Sequence, residues 1–279
     1  MRYLLYNSLS GKSHLSYQNA VLYFNSIDAP KKMIDITKIE SIGDFIRGLD
    51  ESDELYVFGG DGTLNIIANA MSEDMQNKVY YYPSGTGNDF ARDIGAGSEK
   101  PVLVNDYLRD LPTVTVKGKN SKFINGVGFG IDGYCSAQGD IMKSKNKQPN
   151  YAAIAIEGLL FHYKPVNAKV TVDGVTKEFK NVWLAPTMYG RYYGGGMMPT
   201  PEQDRSSDEK SVSIMIFHGA GKLKTLMIFP SLFKGEHVKH TNHVAVMKGK
   251  SITVEFDRPT PLQIDGETVL DVNSYTATV

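Results

Sequence analysis

Residues 55–69, with the sequence LYVFGGDGTLNIIAN, carry the strongest fold signal in this chain. A short apolar run typical of a β-strand ends in the turn GGDGT, and an amphipathic helical pattern follows at once. Glycines in such a turn allow the backbone to approach a ligand closely, and the amides at a helix N-terminus attract anions. The stretch therefore predicts a strand, a phosphate-binding turn and a helix.

A second glycine turn, SGTGND at residues 84–89, follows the next apolar run, residues 79–83. A single glycine-rich turn often only reverses the chain, but two on consecutive parallel strands would bring their amides to one edge of a sheet. In this second turn Thr86 could contact phosphate. Asn88 and Asp89 could contact ribose or substrate, or cap the helix that follows.

Asp61 lies inside the first turn. A carboxylate among phosphate-facing amides would repel the ligand unless it helps to hold a divalent cation, so we expect Asp61 to bind magnesium directly or through water. A residue that acts only on the transition state should be replaceable with little change in thermal stability, and this is what the sequence predicts for Asp61.

Strand-like and helix-like segments alternate through the first hundred residues, which predicts βαβ units and a parallel sheet. The loops at residues 7–12, 59–63 and 84–89 should then meet at the carboxyl edge of that sheet. After about Pro112, short strands separated by turns indicate a mainly antiparallel sheet, with helices at 131–142, 151–163 and 223–234. We predict an α/β domain at 1–112 and a β-rich domain at 113–279, whose last strand could instead return to the first domain.

Composition restricts the partners. A net charge of −1 lacks the strong basic footprint of a nucleic-acid-binding protein. Cys135 is the only cysteine, so an internal disulfide is impossible and a reducing cytosol is the simpler location. The sequence contains no run of residues that is long and apolar enough to span a bilayer, so we expect any membrane contact to be peripheral.

Five motifs occur in the order found in one known family: NSLSG at 7–11, GGDGTLN at 59–65, GTGNDFAR at 85–92, NGVGFGID at 125–132 and IDGE at 264–267. Through them nearly the whole chain resembles the diacylglycerol kinase catalytic-domain superfamily, and most closely its soluble bacterial lipid kinases. The resemblance implies an α/β nucleotide-binding domain like that of NAD kinases and lipid kinases, a mainly antiparallel β-sandwich, and an active site in the cleft between them. It also implies transfer of the ATP γ-phosphate to a lipid hydroxyl, with Mg²⁺, in the cytoplasm at the inner membrane surface.

The resemblance implies a set of site residues as well. Glu267 of the IDGE motif would be the base that acts on the attacking hydroxyl, with Asp61 as the second catalytic residue. From the residues alone, Asp265 and Gly266 form a hairpin turn that leaves Glu267 exposed. The ATP-binding residues would be Asn7, Ser8, Leu9, Ser10, Gly11, Thr37, Gly59, Gly60, Asp61, Gly62, Thr63, Leu64, Asn65, Thr86, Asn88 and Asp89.

Two departures from the family pattern affect the charges near the site. The family usually has Glu after GGDGTxN, where this chain has Ile66. Asp208 matches the Asp of a family Asp-Gly turn that binds a structural magnesium ion, but Glu209 follows it. If that site is retained, Arg205 and Lys210 would add backbone carbonyls to the Asp208 carboxylate.

Alternative interpretations concern the chemistry. A kinase with a soluble acceptor, like an NAD kinase, and a catalytically weak nucleotide-sensing module both remain open. Residues 128–133 fit GxGxxG, but a Rossmann dinucleotide site is not expected there because the βαβ pattern has ended. His237, His240 and His243 would point to opposite faces of a strand, which favours surface histidines over a zinc site.

The lipid-binding side is less distinct. Residues 189–198 and 222–234 combine apolar side chains with glycines or lysines, and both could form an acceptor groove and a basic membrane-facing rim. A packed core helix explains the second segment equally well. The expected partners are ATP and a lipid alcohol at the membrane surface, without nucleic acid, and a homodimer remains open.

Overall fold

The computed structural model describes residues 1–10, 13–145 and 147–279. The chain divides into two compact units, residues 1–111 and 112–279. Among the described residues, no helix is both long and apolar enough to cross a membrane.

The first unit contains a mainly parallel sheet with the strand order β2-β1-β3-β4-β5. The first four strands are parallel to their neighbours, and only the short fifth strand is antiparallel. The predicted α/β architecture is therefore confirmed. Its strands are β1 (Arg2–Tyr6), β2 (Lys31–Asp35), β3 (Glu54–Gly59), β4 (Lys78–Pro83) and β5 (Val102–Leu103).

Helices connect these strands, as the alternating pattern predicted. The helix after β1 and the helix after β3 are the longest of this unit, and a short 3-10 turn, Ile36–Lys38, follows β2. The helices of the first unit are α1 (Ser13–Ser26), α2 (Ile42–Arg47), α3 (Asp61–Ala70), α4 (Asp89–Asp93) and α5 (Asn105–Leu108).

Aromatic side chains line the face of the first sheet that packs against α1. Tyr56 on β3 stacks on Tyr80 of β4 with ring centroids 4.6 Å apart, and Phe58 stacks on Tyr82 at 5.1 Å. Tyr23 of α1 contacts both Tyr56 and Phe58. Such neighbouring pairs stabilise the register of adjacent strands. They fix the relative positions of the ends of β3 and β4, from which the two glycine turns emerge.

The second unit is built on an antiparallel sheet that, within the described residues, contains ten strands. The main path has the order β13-β12-β11-β8-β14-β15-β6-β7, and β9 pairs with β10 and β14. Its strands are β6 (Thr113–Val116), β7 (Lys119–Lys122), β8 (Gly126–Gly130), β9 (Val166–Val172), β10 (Val175–Val182), β11 (Leu184–Met188), β12 (Val212–Phe217), β13 (Val244–Gly249), β14 (Ser251–Ile264) and β15 (Glu267–Thr278).

A bend in β14 converts this sheet into a sandwich-like body. The first half of β14 pairs with β9, whereas residues 262–264 pair with β8. The register against β15 shifts between Glu255 and Thr260 and again before Leu262. Because such irregularities bend a strand and increase its twist, one long strand belongs to both parts of the sheet. The predicted antiparallel β-sandwich is thus confirmed.

In the part of this unit that the structure describes, three α-helices accompany the sheet: α6 (Ile131–Ser144), α7 (Tyr151–Glu157) and α8 (Lys222–Ile228). The sequence predicts longer helices at 151–163 and 223–234, but the first continues as a π-helical turn, Gly158–His162, and the second as a 3-10 helix, Phe229–Lys234. Pro230 explains the second change, since proline lacks the amide hydrogen that an α-helix needs there.

The histidine prediction requires correction. His237 lies on a short 3-10 helix, Glu236–Lys239, and not on a strand. Its side chain is 1% exposed, and its Nε2 lies 2.8 Å from the carbonyl oxygen of Pro199. Sequence periodicity could not reveal this burial because the residue follows the positive-φ turn at Gly235, which redirects the chain. The GxGxxG match lies on β8, whose neighbours are both antiparallel, which is not the parallel arrangement of a Rossmann site.

Asp132, in the first turn of α6, holds a buried carboxyl group. Its Oδ1 accepts a hydrogen bond of 2.8 Å from the Gly133 amide, whereas Oδ2 is buried and has no hydrogen-bond partner among the described residues. Burial raises the pKa of this carboxyl to about 7, although the hydrogen bond from the Gly133 amide favours the charged form. The folded protein therefore holds Asp132 protonated at pH values where the unfolded chain would ionise it.

We expect Asp132→Asn to change how the free energy of unfolding depends on pH. Wild-type stability should fall as pH rises from the ordinary carboxyl pKa of about 4 towards 7, because only the unfolded chain then gains from ionisation. Above pH 7 this cost is constant. Urea unfolding across this range should show the variant gaining relative stability with increasing pH. A constant difference between the two proteins would contradict the burial argument, and Asp271→Asn at an exposed position is the matched control.

Candidate active site

The two glycine turns of the first unit touch each other through their backbones. Ser84 donates its amide to the carbonyl of Gly59 at 2.9 Å, which continues the pairing of β3 with β4 beyond the sheet. A Cβ atom built on Gly85 would lie 2.4 Å from the Cα of Gly60. Only two glycines allow this approach, because any side chain would force the turns apart. The sequence predicted that these turns meet, and the structure confirms it.

The first turn is also closed on its own side by a threonine. A Cβ atom on Gly59 would lie 2.5 Å from the Cβ of Thr63, whose side chain is 3% exposed. Helix α3 therefore begins directly against the end of β3. Its N-cap residue, Gly60, has no side chain that could cap the helix. No N-cap side chain therefore covers the first backbone amides of α3.

Asp61 connects the first turn to the second. Its Oδ2 accepts a hydrogen bond of 2.9 Å from the Asp89 amide, and its Oδ1 accepts one of 3.1 Å from the Phe90 amide. These amides belong to the first turn of α4, so the Asp61 carboxylate caps a helix that begins 28 residues later. Since removing a cap costs about 1 kcal/mol, the expectation that Asp61 has no structural role needs revision.

Asn88 closes the second turn. Its Oδ1 accepts the Gly85 amide at 2.8 Å and its Nδ2 donates to the Gly85 carbonyl at 3.2 Å. The residue adopts a left-handed conformation with φ of 52°, which asparagine tolerates better than most residues. Asn88 is the N-cap residue of α4 but makes no side-chain capping hydrogen bond, so the capping alternative is wrong for its side chain, whose observed contacts shape the loop.

A third loop lies at the end of β1. The Leu9 amide donates to Oδ1 of Asn7 at 2.9 Å, which forms a local Asx turn. Ser84 of the second turn donates its hydroxyl to Ser16 of α1 at 2.9 Å, so the helix that follows this loop contacts the second glycine turn. All three loops therefore belong to the same edge of the first sheet.

Asp35, which was not among the predicted site residues, holds the third loop in place. It ends β2, and its Oδ1 accepts hydrogen bonds from the Ser8 amide, the Thr37 amide and the Thr37 hydroxyl at 2.9–3.3 Å. Burial by itself raises the pKa of the Asp35 carboxyl, but the hydrogen bonds from Ser8 and Thr37 outweigh burial and lower the pKa below its usual value. The available signal was an Asp at a strand end two residues before a Thr.

The predicted ATP-binding residues differ in what they expose. Leu9, Thr37 and Thr86 are exposed at the loop edge. By contrast, Leu64 is fully buried and its amide already donates to the Gly60 carbonyl at 3.1 Å. Thr63 and Asn65 are buried as well. Gly11 lies outside the described residues.

In the second unit, Asp265 fixes the turn that carries Glu267. Its carboxylate accepts the amides of Asn125 and Gly126, each at 2.9 Å, and also that of Ile124. Asp265 and Gly266 have φ of 46° and 92°, as a tight hairpin turn between β14 and β15 requires. Glu267 is the first residue of β15 and its side chain is exposed. The Asp265 contacts therefore hold the turn rigidly, while the Glu267 carboxylate stays accessible.

Arg205 binds the same segment from another direction. Its guanidinium donates to the Ile124 carbonyl at 2.9 Å and to Oδ1 of Asn125 at 3.1 Å, and the residue is 4% exposed. Asp265 thus holds the backbone at the start of β8 by its amides, and Arg205 holds it by the Ile124 carbonyl. This role of the Arg205 side chain was not predicted, because no local pattern links Arg205 to a segment 80 residues earlier.

One of the predicted metal ligands, the Arg205 carbonyl, has a different partner in this structure. The Arg205 carbonyl accepts a hydrogen bond of 3.1 Å from the ammonium group of Lys210, so a positive charge already contacts the expected ligand. Asp208 is exposed. Within the part of the chain that the structure describes, no group of three His, Cys, Asp or Glu residues could hold a metal ion.

Each of the two units matches a known protein domain family. Residues 2–116 match the diacylglycerol kinase catalytic domain, and residues 125–278 match the YegS C-terminal NAD kinase beta sandwich-like domain. A diacylglycerol kinase of Mycobacterium tuberculosis is 27% identical over 214 residues, which cover 73% of this chain and 67% of that protein. The crystal structure of a diacylglycerol kinase from Bacillus anthracis has a TM-score of 0.61 at 18% identity and covers 99% of this chain and 93% of that one.

The two family matches, which together take in residues 2–116 and 125–278, show that the chain belongs to the diacylglycerol kinase catalytic-domain superfamily, as its motifs predicted.

Gly85→Ala should destabilise the protein by about 2 kcal/mol, because the new methyl group would overlap the Gly60 backbone. The measurement is urea unfolding. Gly97→Ala is the matched control, since a Cβ atom there would have no neighbour within 4 Å. Equal unfolding free energies for the two variants would contradict the close contact between the turns.

Lys210→Met should lower the unfolding free energy by about 1 kcal/mol, since the variant keeps the apolar stem but loses the charged hydrogen bond to the Arg205 carbonyl. Wild-type thermal midpoints should be equal in EDTA and in excess MgCl₂. Lys177→Met on exposed β10 is the control. A wild-type midpoint that rises with magnesium and falls again with EDTA would restore the metal site.

Proposed function

We propose that this protein is an ATP-dependent lipid kinase that transfers the γ-phosphate of ATP to the hydroxyl of a diacylglycerol-like lipid. The observation that supports this most directly is the backbone contact between Gly60 and Gly85. It creates one surface from two turns, with no side chain at the point of contact. Such a surface suits the close approach of a polyphosphate.

Electrostatics favour an anion at this edge. Helix α3 begins at Asp61 after the N-cap Gly60, which has no side chain to cap it, and the positive end of a helix dipole lies at its N-terminus. The exposed side chains of Thr37 and Thr86 add hydroxyl donors at the loop edge. These groups would bind the phosphates of ATP.

Asp61 would hold the magnesium ion that accompanies ATP. Its carboxylate oxygens accept hydrogen bonds from the Asp89 and Phe90 amides, and carboxylate oxygens are the ligands that Mg²⁺ prefers in proteins. The ion would neutralise charge on the phosphates during transfer. The capping contacts would keep the Asp61 side chain in one orientation for this purpose.

Glu267 would act as the base on the lipid hydroxyl. Phosphoryl transfer requires positioned phosphates, a cation and a group that orients the nucleophile, and it needs no covalent intermediate. An exposed carboxylate on a rigid turn meets the last requirement, and the Asp265 contacts supply the rigidity. We place the reaction in the cytoplasm, at the inner membrane surface, where such a lipid would be available.

Glu267→Gln and Asp61→Asn should each reduce transfer of labelled phosphate from ATP to a membrane lipid extract by about a hundredfold or more. Glu267→Gln should leave the thermal midpoint unchanged, whereas Asp61→Asn should lower it slightly because the cap weakens. The matched controls are Glu178→Gln and Asp106→Asn, both at exposed positions.

The same assay separates the remaining alternatives. Labelling of NAD or a sugar phosphate in place of lipid would indicate a kinase with a soluble acceptor. ATP binding without transfer to any acceptor would support a nucleotide-sensing module. Near-normal turnover in either variant would remove the role proposed for that residue.

A further inference from the structure

Helix α8 presents apolar side chains to solvent. Leu223 and Met227 are 76% and 75% exposed. They are four residues apart and therefore lie on one face of the helix. The opposite face is already packed, since Thr225 and Ile228 are 0% and 2% exposed. The exposed face is thus not explained by the core of the second unit.

A neighbouring turn adds a third exposed apolar side chain. Phe161, on the π-helical turn Gly158–His162, is 71% exposed. Lys222 at the start of α8 donates its ammonium group to the Leu160 carbonyl at 2.7 Å, which holds the turn against the helix. We call Phe161, Leu223 and Met227 the apolar patch. Clustered exposure of large apolar groups indicates a surface that binds something.

The charged residues around the apolar patch indicate which kind of partner it binds. Residues 222–234, KLKTLMIFPSLFK, contain three lysines and no acidic residue. Lys224 and Lys234 are exposed. The neighbouring acidic side chains have basic partners of their own, since Glu157 lies 3.2 Å from His162 and Glu236 lies 3.4 Å from Lys239. Lysines beside exposed apolar side chains match an anionic bilayer, in which apolar groups enter the interface and ammonium groups remain at the headgroups.

We propose that the apolar patch inserts into an anionic phospholipid surface while Lys224 and Lys234 contact its headgroups. The inference rests on the proposed function in one respect, because a kinase with a bilayer-resident acceptor must reach a membrane. A second copy of the chain is the competing occupant. The long, flexible lysine side chains and the absence of a complementary acidic segment in residues 222–234 favour lipid.

The test uses the full chain and sedimented vesicles. Vesicles of equal parts phosphatidylcholine and phosphatidylglycerol should bind the wild type, and vesicles of phosphatidylcholine alone should bind it weakly. The double variant Leu223→Glu with Met227→Glu should bind the anionic vesicles about tenfold less. Lys224→Gln with Lys234→Gln should weaken binding and reduce its dependence on salt.

Val175→Glu with Leu270→Glu is the matched control, since these apolar residues are 65% and 57% exposed outside the patch. The control should bind vesicles like the wild type. Equal binding by the patch variant and the control would overturn the proposal. So would a patch variant that changes a dimer into a monomer by light scattering while vesicle binding stays the same.

Transfer to a short-chain diacylglycerol dispersed in detergent separates this inference from the proposed function. The patch variant should retain transfer in detergent and lose it on vesicles, whereas Glu267→Gln should lose it in both. Wild-type transfer in detergent without vesicle binding would reject the membrane surface alone. Vesicle binding without transfer to any lipid would reject the kinase proposal alone.

Discussion

The contact between the Gly60 and Gly85 backbones is the constraint on which the candidate site of the first unit depends. Two parallel strands end side by side, and their loops can touch only because neither residue carries a side chain. Asp61 then spans the contact, because its position at the start of α3 brings its carboxylate to the amides of α4. One residue therefore combines a structural role with the proposed catalytic one, and its substitution affects both.

In the second unit, charged side chains hold a backbone segment in place, whereas the first unit relies on close backbone contact. Asp265 collects the backbone amides of residues 124–126, and Arg205 binds the Ile124 carbonyl and the Asn125 side chain. Arg205 is buried, and a buried charged group persists only when it is hydrogen-bonded, as it is here to the Ile124 carbonyl and the Asn125 side chain. The turn before Glu267 is fixed in this way, although Glu267 itself remains exposed. The Lys210 ammonium stabilises the same region by a contact that needs no metal ion.

Local sequence patterns predicted which helices and strands form better than they predicted where each helix ends. The strand, turn and helix of residues 55–69 follow from hydrophobic periodicity and glycine spacing, both of which are local. The helix predicted at 223–234 changes type at Phe229, directly before Pro230, and the helix predicted at 151–163 changes type at Gly158. His237 was predicted on a surface strand, but it lies on a 3-10 helix with its side chain buried, because packing and the turn at Gly235 decide its position.

The sequence alone determined the order of elements, the two glycine turns and the family, because these depend on residue types at short spacing. Tertiary structure decided which partner each polar group takes. Several hydrogen bonds join residues that are distant in sequence, and no local pattern encodes such pairs. They are those of Asp35 with Ser8, of Asp61 with Asp89 and of Arg205 with Ile124. Burial of Asp132 and exposure of Leu223 were likewise set by packing, since the surroundings of a side chain depend on the whole fold.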